Sequence, residues 1–269
     1  MSALGWLWKK IKKRVCLYVT FFKVNYRELE VDSLDFLFGI AAKLLEYAAE
    51  LLALFFIFEL VPEINGWDKY QVFFVFGLNM VGFSLWSCFF INTITLPYYI
   101  QRGEFDRFLV RPLPPLLQIL LDGFDDDSWG ELVTGLAVLV YAWVKLGVGL
   151  WWVPAVMVVV VSGCFIYAGI SILLSTISFF TVAKVDAADV TMQIKEIAKY
   201  PITIYPKVLQ FIFTFLFPVA FVAFLPMRVI MGDIGMGWVL LVPVVAGAFY
   251  WLSKRVWMLG LRHYGSSGT

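Results

Sequence analysis

Apolar residues in this chain gather into six runs, at about 34–61, 70–99, 128–146, 153–181, 208–231 and 237–258. Each is long enough for a helix across a bilayer, since about 20 residues rising ~1.5 Å apiece cross a hydrocarbon core of ~30 Å. The connectors alternate: 62–69 and 147–152 are short, 100–127 and 182–207 long. Ahead of the first run the pattern changes. At about 100° per residue, Leu4, Trp8, Ile11, Val15, Tyr18 and Phe22 share one helical face, with Lys9, Lys10, Lys12, Lys13 and Lys23 opposite. Such a helix lies in the headgroup plane, Trp8 inward and the lysines toward anionic lipid. A topogenic basic cluster distributes charge in the same way, and both readings put this end in the cytoplasm. The predicted fold is an all-α membrane protein: one domain over 1–269, with six transmembrane helices and an N-terminal amphipathic interfacial helix over 1–30.

Composition agrees. Of the 269 residues, 61% are hydrophobic and 15% charged, against roughly 25% charged in soluble domains. That excludes a cytosolic enzyme, a disordered chain and a disulfide scaffold. Basic and acidic residues nearly cancel, 21 against 20, so nothing favours nucleic acid as a partner. Seventeen of the 21 basic residues fall in the N-terminal segment, the two long loops and the tail. By the positive-inside rule both termini and both long loops are cytoplasmic. The scattered Cys16, Cys88 and Cys164 fit inert packing. A single histidine, His263, excludes HExxH zinc sites and histidine-based triads.

No Gly-Lys pair occurs in the chain, so it has no Walker-type phosphate loop. If it moves a compound uphill with ATP, the ATPase is another chain. The loop 100–127 carries the sharpest local signal. Gly103 breaks the preceding helix, Glu104 and Asp106 favour the start of a short one, and Pro112 stops it. The expected product is a helix of about two turns with Phe105, Phe108 and Leu109 exposed. That is a candidate docking surface, or an interfacial helix resting on lipid.

In the first span Lys43, Glu46 and Glu50 share one face with Gly39. Each charge at the bilayer centre costs about 2.5–3.5 kcal/mol on insertion scales, so this face does not point at lipid. Lys43 can neutralise one glutamate, which leaves one acid over. That spare carboxylate either attracts a cationic substrate or belongs to a buried network. In the second span Asn79, Ser84, Ser87, Asn92, Thr93 and Thr95 read first as bonds across helices. Asp125, Asp126 and Asp127 read as a cap for the third span. Pro218 and Pro226 interrupt the fifth run, and broken backbone at membrane depth lines protein or a watery cavity.

The run GEFDRFLVRPLPPLLQIL at 103–120 resembles the loop after the second span in the permeases of type-2 ABC exporters, viologen-exporter-like subfamily. DFLFGI at 35–40, AKYP at 198–201, the prolines from Tyr205-Pro206 through Leu225-Pro226 and the tail RHYGSSG at 262–268 resemble the same subfamily. The resemblance implies a permease subunit in an inner (plasma) membrane of prokaryotic type, non-catalytic itself. It implies a dimer with a second permease, of the same or a related chain, and a cytosolic ABC ATPase partner that holds ATP and Mg. It makes Glu104, Phe105, Asp106, Arg107, Phe108, Leu109 and Arg111 the coupling helix. The cavity comes from the first, second and fifth spans, with Lys43, Glu46, Glu50, Asn79 and Pro218 as candidate lining. The cargo implied is an amphipathic or cationic hydrophobic compound. A lipid or glycan carried by the same architecture, and an ion-coupled carrier using Glu46 and Glu50, are the alternatives. An intramembrane enzyme lacks a histidine base, and a pure scaffold has little reason to keep three charges in lipid.

Overall fold

The computed structural model describes residues 33–123, 125, 127–181 and 186–265. The predicted N-terminal interfacial helix, with Trp8, Lys9, Lys10, Lys12 and Lys13, lies outside the described residues.

Helix α1 (Ser33–Leu60) opens the described chain. A two-residue hairpin follows, strands β1 (Glu63–Ile64) and β2 (Trp67–Asp68). Its turn is Asn65-Gly66, both at positive φ, which matches the twist of the strands. Asp68 then caps α2 (Lys69–Phe90): its carboxylate accepts from the N–H groups of Tyr70 and Gln71, while Gln71 reaches back to the Asp68 N–H. A 3₁₀ turn, Ile91–Thr95, joins α2 to the short α3 (Leu96–Gln101), so the continuous element runs Lys69–Gln101. Gly103, at φ 70°, ends it as expected. Short helices α4 (Asp106–Leu109) and α5 (Pro115–Leu120) make up the loop. Helices α6 (Ser128–Leu146) and α7 (Val153–Thr176) form the next pair. Gly147, left-handed, closes α6 by donating to the carbonyls of Trp143 and Val144.

The layer is held by close helix contacts. Gly77 on α2 faces the backbone of Leu139 on α6, and Gly135 on α6 faces Met80. A methyl group at either glycine would come within 3 Å of the other helix. The last helix, α11 (Gly237–His263), packs along α7.

In the second long connector the described residues begin at 186, and they are packed into the protein. From 187 they form helix α8 (Ala187–Ala198), packed against α7 and the Ile91–Thr95 turn. Past α8 the chain reaches the opposite end of α2, where Thr203 accepts hydrogen bonds from the Trp67 indole (2.9 Å) and the Asn65 amide. So 187–203 runs from the loop end of the layer toward the hairpin end. The reason is physical: its lysines find acids inside the protein, and that masks the cost that made the segment read as a loop.

The fifth apolar run is correspondingly not a straight span. Residues Lys207–Leu216 and Val219–Ile230 bend by 80° at the break, where Pro218 is buried. Helix α9 (Lys207–Phe211) continues into a π turn at Ile212–Leu216. Helix α10 (Phe224–Ile230) sits at the hairpin end, its Phe224 ring 5.6 Å from Trp67. Among the described residues four helical stretches are long and apolar enough to cross a membrane, five if the bent pair is one span. Helix α1 has the length, but Lys43, Glu46 and Glu50 sit in its middle.

A loop-helix socket and a buried charge cluster

The loop helix is built into the protein through its own aromatic residues. Phe105 and Phe108, expected to be exposed, are fully buried in a socket with Leu96, Ile119, Phe179 and Trp257. A helix of one turn cannot hold itself together. It persists because two phenylalanines leave water: at about 25 cal/mol per Å² each contributes about 2–3 kcal/mol. Tyr99 O accepts from the N–H groups of both Glu104 and Phe105. Gln118 clamps the far side, its amide donating to the carbonyls of Phe108 and Leu113 at 2.7 Å. Arg107 meets Asp122 at 3.2 Å and lies over the rings of Tyr99 and Phe108. Exposed on this helix and the turn after it are Arg107, Leu109, Val110 and Arg111, with Val110 84% exposed.

In the middle of the helix layer lies a second constellation, joining helices far apart in sequence. Lys195 on α8 is buried with Glu131 on α6, Nζ to Oε1 2.9 Å, and donates to the Tyr47 hydroxyl of α1 at 2.8 Å. Its ammonium also rests over the Phe83 ring at 4.5 Å. The backbone carbonyl of Lys195 accepts from the Asn79 amide, and Asn79 Oδ1 accepts from the Tyr167 hydroxyl at 2.6 Å. One turn on, Lys199 is buried between Glu50 on α1 (2.8 Å) and Glu196 (2.8 Å). Lys43 and Glu46 pair along α1 at 2.9 Å.

Residues 44–268 match the family described as ABC-2 family transporter protein. The chain belongs to that family. No curated protein and no solved structure matches it. As an ABC-2 permease it is an integral, multi-pass, all-α membrane protein, and a transport subunit.

Set against the ABC-2 expectations, the candidate residues divide. Lys43, Glu46 and Glu50 do share one face of α1, and Glu50 has a partner the sequence does not suggest: Lys199, counted as a loop cation, lies between it and Glu196. Asn79 is fully buried with its amide donor and acceptor both engaged, so it does not line an open cavity. Pro218 lies inside the bend. Asp127 heads α6 without a side-chain cap bond; Asp125 accepts from Ser87 (2.7 Å) and from Ser128 instead. Sequence reasoning missed Glu131, Lys195, Lys199 and Tyr47. A signal was present: Lys195 and Lys199 stand four apart, on one face of an amphipathic helix, and Glu131 is the acid of an otherwise apolar run.

Proposed function

We propose that this chain is the membrane subunit of an ATP-driven exporter, docking through helix α4 on a separate ABC ATPase that holds ATP and Mg. The observation that carries this is the socket. A short helix locked inward by Phe105 and Phe108 presents Leu109, Val110 and Arg111 outward. Such a part passes a push into the helix layer instead of absorbing it. Two permeases, of one chain or two related ones, complete the transporter. With Lys195, Lys199 and Lys207 set aside, the remaining basic residues still favour cytoplasmic termini and a cytoplasmic loop end. On this reading Lys69–Gln101, α6, Leu150–Phe179 and α11 are spans by length and composition; α1 joins them by length, and 187–203 by the burial of its lysines against α1 and α6. The bent pair is a re-entrant element at the outer end.

The cargo is an amphipathic or cationic hydrophobic compound. A groove of about 360 Å³ between α1, α2 and α6, lined by Leu51, Phe55, Phe73, Val138 and Tyr141, supports this. It adjoins Glu50 in sequence, on the helix that also bears the half-exposed Glu46.

Purification of the tagged chain from native membranes tests the reading. An ABC ATPase is expected in equal amount, and Val110→Asp is expected to cut its recovery at least about tenfold, as when an apolar interface anchor becomes a charge. Transport that collapses with a proton uncoupler, with no ATPase recovered, would favour an ion-coupled carrier.

A further inference from the structure

The turn that ends α11 touches the loop helix. Tyr264 follows the last residue of α11, fixed there by its N–H donating to Gly260 O at 3.1 Å. Its ring stands edge-on to Phe105, centroids 4.8 Å apart, and 5.9 Å from Phe179. Its hydroxyl donates to Asp106 Oδ1 at 2.9 Å, across 158 positions of sequence. Burial, and then the Asp106 carboxylate, push that hydroxyl up to about 12, so it keeps its proton and remains a donor at physiological pH.

The two kinds of contact do different work. Rings packed edge to face tolerate sliding, because dispersion is weakly directional. A hydroxyl-to-carboxylate bond is directional and charge-assisted. It fixes which way α4 is turned on the end of α11. Helix α11 is 27 residues, about 40 Å at ~1.5 Å per residue. At its far end it packs on α10, the second arm of the bent pair.

We propose that Tyr264 is a positioning residue: its hydroxyl, held by Asp106, fastens the loop helix to α11. Motion imposed on α4 is thereby delivered along α11 to α10 at the opposite end of the layer. The delivery rests on the reading of α4 as the docking helix; the fastening does not.

Two measurements separate them. Spin labels at Val110→Cys and Leu259→Cys, both exposed positions, report the α4–α11 distance in the permease alone, with Cys16, Cys88 and Cys164 replaced by serine. A narrow distribution is expected, broadened by Tyr264→Phe and preserved by Asp106→Asn, whose amide oxygen still accepts. In the complex, Tyr264→Phe is expected to lower transport per ATP hydrolysed about fivefold, the factor one net hydrogen bond is worth, with ATPase recovery retained. An unchanged distance distribution in Tyr264→Phe overturns the fastening. A broadened distribution with an unchanged transport ratio, or a loss of ATPase recovery that accounts for the lost transport, overturns the delivery. If the unaltered chain recovers no ATPase, the docking reading falls, and the label distances still decide the fastening.

Discussion

Phe108 and Lys195 are both almost fully buried, one at the loop end and the other in the middle of the helix layer. Their surroundings are built on opposite logic. Around Phe108 the partners of the ring are mostly apolar, with the Arg107 guanidinium lying over it, and burial supplies most of the stability. Around Lys195 burial is the cost. The site stands because Glu131, Tyr47 and the Phe83 ring meet the ammonium from three other helices. The socket therefore tolerates a change of shape and not a charge. The cluster tolerates replacement as a set and not the loss of one member.

The largest effect expected is at Glu131. Glu131→Ala leaves the Lys195 ammonium buried without its acid and should cost about 3–5 kcal/mol, seen as loss of monodisperse protein in detergent. Glu131→Leu with Lys195→Met should recover most of that yield. If the pair of changes is no better than the single one, the cluster does more than neutralise charge. Next is Phe108→Ala, about 3 kcal/mol for an emptied aromatic site. The loss should be local: protease sensitivity rises within 103–114 while the helix layer keeps its melting temperature. A matching fall in global stability would mean that socket and layer are one unit. The smallest effect is Glu46→Gln. An exposed pair is worth less than about 1 kcal/mol, so the protein should stay folded with little change in its melting midpoint. A loss near 3 kcal/mol would say instead that the remaining Lys43 faces lipid.

Much of the frame is legible in the chain itself. The apolar runs mark Lys69–Gln101, Ser128–Leu146, Leu150–Phe179 and Gly237–His263. Gly103 and Pro112 delimit the loop helix. These are local effects: a helix needs its length of apolar side chains, and a turn needs its glycine. The candidate site was less legible. Phe105 and Phe108 sit among charges, and sequence reads them as surface; only Phe179 and Trp257, arriving from far along the chain, make them core. Lys195 and Lys199 read as loop cations for the same reason.

The sequence by itself therefore determined that this protein lives in lipid and where most of its helices begin and end. Those properties follow from each segment's own transfer free energy and backbone preferences. Only the tertiary structure decided that the polar segment at 187–203 enters the helix layer and that the fifth apolar run folds back at Pro218. It alone paired Glu50 with Lys199 and Tyr264 with Asp106. A charge or a ring has no fixed free energy in isolation; its cost or gain is set by the partner it meets, and those partners come from helices that adjacency in sequence does not bring together.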